Sequence, residues 1–505
     1  MSRKFHAGIR LILAGTCCIS ILSSCSRQAP ADSVPAGKAV SIFPDYTNVT
    51  IPPNIAPLNF IIKEEGVRYC VSVQEPANKP VAVYSKNGTI TFHPKKWRSL
   101  LQKHRGKELS ITVYVKKRTE KWLRYNPFTL SIAPDTIDPY LAYRLINPGF
   151  EQWSELGIYQ RNLANFSEKP IFTNRATGTE TCMNCHAFCK KDPNTMLFHL
   201  RAGYGGTILL RNNTLKKINT KTPYTMSAGV YPSWHPNGNL VAFSVNKISQ
   251  FFALIPDATI NVIDFHSDII VYNIEKNMVT ACPAIATKKL ENLPEWSPDG
   301  NYLYFCVADT NENLWQAKYE LMRIPYSSET NTWGTIDTVL GYARFGASIS
   351  FPKISPDGRY LLFTSAPFGY FTINYKESDL YLLYLETLEY KKMTINSSFT
   401  ESYHSWSSNG RWIAFSSKRN DGLSARTYFA YFDTTGNEHK PFLLPQKDPS
   451  SYYVTYRSYN VPEFITGEVT VPYHRLKKTA YSDAAPVSFD RDIDVDALSG
   501  ASKVE

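Results

Sequence analysis

The sequence predicts an all-β protein built on a repeated unit of short strands, and two observations carry that reading. The first is composition: 32 Tyr, 27 Phe and 32 Pro in 505 residues suit many brief strands separated by turns. The second is an internal repeat that aligns four times without a gap. Its copies are Tyr231-PSWHPNGNLVA-Phe243, Leu293-PEWSPDGNYLY-Phe305, Phe351-PKISPDGRYLL-Phe363 and Tyr403-HSWSSNGRWIA-Phe415.

Each copy places a large apolar residue at one register (Trp234, Trp296, Ile354, Trp406) and a glycine four residues later (Gly238, Gly300, Gly358, Gly410). Such a segment is a hairpin. Proline presets φ, Asp or Asn bonds its own backbone, and glycine supplies positive φ before an alternating strand begins. Intervals of 62, 58 and 52 residues fit four-stranded propeller blades with long insertions. A β-sandwich does not need the same turn at a recurring period. The pattern resembles the TolB-type repeat, a relative of the WD-type blade, and that resemblance implies a propeller of five or six blades. Residues 192–198 and 205–210 read as a degenerate first blade. Tyr452 to Val469 alternates like a strand and is expected to complete a last blade with N-terminal residues. The propeller is therefore expected over residues 190–478.

From the N-terminus, Arg3, Lys4 and Arg10 precede an apolar run from Leu11 to Leu22, a signal-peptide pattern over residues 1–24 that is too short to span a bilayer. Leu22-Ser23-Ser24-Cys25 resembles a bacterial lipobox, which implies an acylated Cys25 as the first mature residue. Ser26 rather than Asp after it implies the outer membrane, facing the periplasm. Residues 25–40 read as a Pro/Ala/Ser tether. Residues 41–135 hold short strands (Leu58–Ile62, Val81–Tyr84, Thr89–Phe92, Leu109–Tyr114) between Pro, Gly and Asn, which suggests a small immunoglobulin-like β-sandwich. Residues 136–180 are expected to be a connector with a short helix near 150–160, and residues 479–505 a loose polar tail.

The chemistry concentrates in residues 181–199. Cys182-Met-Asn-Cys185-His186 matches C-x-x-C-H, the attachment signature of c-type haem. In that chemistry two thiols add across the vinyl groups and the adjacent imidazole becomes an axial iron ligand. This composition yields about 0.003 such triplets by chance, so the match needs a cause. Met196 and His199 are the nearest residues able to supply a second axial ligand. Together with Cys189 and His199, the same thiols also fit a zinc knot, or a disulfide beside a bystander histidine. Cys306 lies in an apolar run and reads as a buried core thiol.

Formal charge is +11, about +8 once the signal is removed, and it is scattered rather than striped with aromatics, which excludes a nucleic-acid surface. No nucleophile elbow, H-E-x-x-H, P-loop or dinucleotide fingerprint is present, so enzymatic activity is not expected. Asp264, His266 and Asp268 alternate so as to share one strand face, which suits either a metal site or a hydrogen-bonded edge. His235 and His404 lie inside the repeats, where packing is the expected role.

As a whole the chain resembles bacterial lipoproteins with a TolB-like propeller and a cytochrome-type C-x-x-C-H just upstream. TolB binds partner proteins through its propeller within a cell-envelope complex. The lipobox, the haem motif and the N-terminal unit here depart from TolB, so only the propeller and its binding habit carry over. Two functions are therefore expected as alternatives. One is an envelope haem protein engaging a redox partner; the other is a non-catalytic scaffold whose Cys/His cluster is structural. The lipobox has its own test: radiolabelled fatty acid should enter the wild type and not Cys25→Ser, and wild-type protein found unlabelled in the soluble periplasm would refute the anchor.

Overall fold

A computed structural model describes residues 28–74, 80–118, 120–147, 155–178, 181–250, 262–310 and 313–490. The signal segment and Cys25 lie outside the described residues. Among those described, no helix is long and apolar enough to cross a membrane.

The chain forms a β-propeller. Its first four-stranded unit runs Met183–Phe188, Met196–Leu200, Gly206–Arg211, Thr214–Asn219. Four more follow, with innermost strands Val230–Trp234, Leu290–Trp296, Ser348–Ile354 and Glu401–Trp406. The sixth takes its innermost strand, Ser458–Ile465, from near the C-terminus and its other three, Tyr140–Ile146, Gly157–Asn162 and Glu168–Thr173, from before the first unit. Two distant parts of the chain thus close the ring, with Tyr140 paired to Ile465 and Ile146 to Ser458. Among the described residues six such units can be traced, within the expected five or six.

The repeated turn has one construction. Ser297, Ser355 and Ser407 each accept the backbone N–H three residues on, at Gly300, Gly358 and Gly410, at 2.9, 2.8 and 3.0 Å. Each serine hydroxyl also donates to Asp299, Asp357 or Asn409 at 2.5–2.6 Å and accepts the N–H of Tyr302, Tyr360 or Trp412. The glycines sit at φ 66–80°, where a side chain is disfavoured. His235 replaces serine in the first copy. Its Nδ1 accepts from the Asn237 N–H at 3.2 Å and its Nε2 meets the Gly300 carbonyl at 3.0 Å, tying one turn to the next. Its role is structural.

Ahead of the propeller lies a two-sheet unit, seven strands against three, with a helix at Pro94–Lys103. Ser33–Ala39 pairs in parallel with Trp122–Asn126, and Val49–Ile51 with Phe128–Ile132. These parallel edges and the helix depart from the antiparallel sandwich expected of an immunoglobulin-like unit. Residues 33–39 are therefore strand rather than tether. One apolar core runs from this unit into the fourth, fifth and sixth propeller units. At the junction Trp412 Nε1 donates to the Asp135 carbonyl at 3.3 Å, Tyr431 donates to the Asp135 carboxylate at 2.5 Å, and Asp138 accepts from Ser408.

Two further expectations are corrected. Residues 136–180 are no connector but supply three propeller strands, because β-branched and aromatic residues at 140–146 and 157–162 pair antiparallel; the expected helix near 150–160 is strand from Gly157, and residues 148–154 lie outside the described residues. Residues 479–490 are no loose tail: helix Tyr473–Tyr481 ends there, and Ala485–Pro486 and Ser488–Phe489 add parallel strands to the outer edges of the first and second units. Trp412 tests the junction. It is fully buried, 5.0 Å from the Tyr431 ring and 6.3 Å from Phe442. Trp412→Ala should cost about 3–5 kcal/mol in urea unfolding, and a loss below 1 kcal/mol would show that the two units are not one cooperative core.

Candidate functional site

The six innermost strands line a central channel and share one backbone feature. Cys185, Tyr231, Leu293, Phe351, Tyr403 and Val461 hold positive φ, between 44° and 55°, and none is glycine. At each, the register with the neighbouring strand slips, the mark of a bulge. The next residue is Pro232, Pro294, Pro352 or Pro462 in four units, and His186 or His404 in the other two. Proline is tolerated because a bulged position owes no hydrogen bond to the ladder. Tyr231, Phe351 and Tyr403 meet near the axis, with ring centroids 6.2 Å and 4.9 Å apart, and Tyr370 packs on Tyr231 at 6.0 Å.

Cys185-His186 therefore occupies the register of Tyr231-Pro232. Cys182, Cys185 and His186 all border one cavity of about 600 Å³, a size usual for cofactor and ligand pockets. Burial pushes both thiols above the ordinary cysteine range, while the guanidiniums of Arg144 and Arg201 pull them down. Cys182 also feels Cys185, so the thiols are neighbours although they lie three apart on an extended chain. His186 is 4% exposed, and its ring meets no side-chain hydrogen-bond partner among the described residues, the Val461 backbone being its polar neighbour of that kind. Burial, reinforced by Arg144, lowers its pKa to about 4, against a small upward pull from the Val461 backbone. The imidazole is thus neutral at physiological pH.

Met196 and His199 are corrected as ligand candidates. Both lie on the second strand of the first unit, paired with Phe188 and Asn184, and neither borders the cavity. Met196 packs in a core with Phe172 and Phe198, and His199 Nδ1 meets the Thr207 hydroxyl at 3.1 Å. The zinc knot does not assemble either. Cys189 turns into a separate core with Leu197 and Trp234, and no group of three or more His, Cys, Asp or Glu able to hold a metal occurs among the described residues. The six described cysteines, Cys70, Cys182, Cys185, Cys189, Cys282 and Cys306, are free thiols, and Cys306 is fully buried. His266 is exposed while Asp264 and Asp268 are buried, because a slip in register between Lys247 and Ile248 breaks the alternation. Asp264 accepts from Asn292 at 3.0 Å and Tyr319 at 3.1 Å, and burial raises its pKa to about 7.

Charge also gathers along the channel from residues far apart in the chain. Arg144, Lys190, Lys191, Arg201, Lys353 and Lys418 border the cavity against two acids, Glu295 and Glu463. Lys353 pairs with Glu295 at 2.7 Å. Glu463 accepts the Phe188 N–H at 3.1 Å, and burial raises it to about 7 against the pull of Lys191. A signal did exist: Val461-Pro462 repeats the large-apolar–Pro pair of Tyr231-Pro232, Leu293-Pro294 and Phe351-Pro352, and Cys185-His186 shares its histidine with Tyr403-His404.

No family model and no curated protein matches this sequence. Solved structures similar to it include the periplasmic gluconolactonase of Pseudomonas aeruginosa (13% identity, TM-score 0.36, 66% of this chain and 100% of that one). Oligogalacturonate lyase in complex with manganese is another (12% identity, TM-score 0.35, 59% and 73%). Hydrazine synthase of Kuenenia stuttgartiensis is a third (9% identity, TM-score 0.34, 58% and 76%). No activity, substrate or metal is carried over from them.

The buried histidines set an acid limit. His404 lines the channel, and burial lowers its pKa to about 3, whereas the unfolded chain protonates at the ordinary value of 6.5. Below that ordinary value the unfolded state gains a proton the folded state refuses, so stability falls from pH 6.5 towards pH 3. His404→Gln should flatten that part of the profile when urea midpoints are compared at neutral and acid pH. An unchanged slope would mean that His404 is not held neutral.

Proposed function

We propose that this protein carries one covalent c-type haem on Cys182 and Cys185, with His186 as axial ligand, in the channel of a lipid-anchored envelope propeller. The observation that carries the proposal is His186, a buried imidazole with no side-chain partner and at most the Val461 backbone on one nitrogen, beside two free thiols at the wall of one cavity. A buried polar group without a partner costs about 1–3 kcal/mol, so a site that keeps one has a use for it. Bound there, the haem supplies reversible one-electron chemistry.

The chain's own residues would do the following. Burial keeps His186 neutral and its lone pair available for a metal, since a protonated imidazole cannot ligate. Tyr231, Phe351 and Tyr403 wall the channel beside Cys185 and exclude water from it. Met196 and His199, which do not border the cavity, are dropped as residues that would hold the haem. The channel mouth, with Lys190, Lys191 and Lys353 around Glu295 and Glu463, offers a charged face for a redox partner.

The scaffold reading keeps the same fold without the haem. Its structural version, a disulfide or zinc knot, has no support among the described residues; partner binding at the mouth remains to it. Expression in a host with haem-attachment machinery separates the two. Denatured wild type should give a pyridine haemochrome spectrum and haem peroxidase staining that Cys182→Ala loses. Folded wild type without covalent haem would overturn the proposal and leave the scaffold.

A further inference from the structure

We infer that Arg144 and Arg201 form a carboxylate-binding pair inside the channel, made for a ligand with an apolar body and carboxylate arms. Arg144 stands on the second strand of the sixth unit, opposite Asn460, and Arg201 follows the second strand of the first, its backbone N–H donating to the Cys182 carbonyl at 2.8 Å. The two come from adjacent units onto the same cavity wall. Their fields converge, because both act on Cys182, Cys185 and Tyr231, and Arg144 also reaches His186 and Tyr403.

Neither guanidinium has an ion pair or a side-chain hydrogen bond among the described residues, and Arg144 Nε is buried without a partner. Other inward-facing arginines differ. Arg161 donates to the Pro445 carbonyl at 2.9 Å, Arg426 to the Arg457 carbonyl at 2.7 Å, and Arg419 pairs with Glu401 at 2.8 Å. Both acids of the cavity are engaged by lysines, Glu295 by Lys353 and Glu463 by the field of Lys191. Both side chains are half-buried and a guanidinium cannot shed its proton, so two of them on one cavity wall favour an anion brought from outside. Carboxylate suits the planar fork bidentately. Ile146, Leu156, Tyr231 and Tyr403 on the same wall suit an apolar body attached to it.

Two sources offer that chemistry: the propionates of the haem proposed above, on which reading one arm of the test rests, and a freely diffusing apolar carboxylate. The full-length chain with Cys182→Ala and Cys185→Ala, which cannot attach haem, is titrated by fluorescence with protoporphyrin IX, its dimethyl ester and naphthalene-2,6-dicarboxylate. The same titrations follow in Arg144→Gln/Arg201→Gln, and in Arg144→Gln and Arg201→Gln singly should the double variant fail to fold. Porphyrin binding weakened about ten-fold or more by esterification and by the Gln pair identifies propionates. Binding of the naphthalene dicarboxylate alone, lost in the Gln pair, identifies the free ligand, and the inference then stands even if the wild type carries no haem. Haem in the wild type, but no probe whose binding depends on the arginines, overturns this inference and leaves the haem proposal intact. No arginine-dependent binding and no haem overturns both.

Discussion

Six residues at one level of the channel must hold a left-handed backbone, and the rest of the molecule is arranged around that requirement. A single non-glycine residue at positive φ costs on the order of 1 kcal/mol or more, and a β-branched one such as Val461 is the least tolerant. The strain persists only because the surrounding sheet over-determines it. Each bulge lets an inner strand bend while its neighbour stays regular, and six such bends allow six twisted sheets to meet around an axis. The same bend turns side chains towards the axis, which is why Tyr231, Phe351 and Tyr403 can touch there.

That constraint also accounts for the site. C-x-x-C-H on a regular strand would put Cys182 and Cys185 on opposite faces, since the side-chain period is two. The slip in register at Cys185 removes that obstacle, and both thiols reach one cavity. His186 stands where four other units have proline, so a ring that elsewhere has no donor or acceptor there gains an imidazole without disturbing the ladder. His404 makes the same replacement but keeps Thr364 within 3.4 Å of its Nδ1. His186 keeps no side-chain partner of that kind among the described residues.

Much of this was legible in the sequence where the signal was local. Trp234, Trp296, Ile354 and Trp406 with their glycines marked four units because a hairpin turn is fixed by a handful of adjacent residues. Tyr452–Val469 alternates like a strand that joins N-terminal residues, but nothing local identifies those residues within 136–180, because Tyr140–Ile146 and Ser458–Ile465 lie about 300 residues apart. His266 was placed with Asp264 and Asp268 by strict alternation, which one slip in register cancels. Met196 and His199 were nearest to His186 in sequence, but an antiparallel neighbour strand carried them into the packing between sheets. Arg144 and Arg201 could not be joined at all, since nothing in their flanking residues marks them as neighbours.

The channel's charge follows from how its two ends are built. The turn end is made of polar hairpins, and there Lys353 and Glu295 pair while Lys191 stands by Glu463, so charge is balanced inside the protein. Around Cys182 the wall comes from second strands and the segments after them, which are largely apolar and, among the described residues, hold no acid to answer Arg144 or Arg201. Unanswered cations would destabilise a closed core, but they are compatible with a cavity that stays open to an anion. The left-handed ring lies between, sharing its aromatic plug with Cys185. A ligand reaching the thiols therefore meets apolar rings on one side and two guanidiniums on the other, which ties the chemistry of its body and that of its arms to a single backbone constraint.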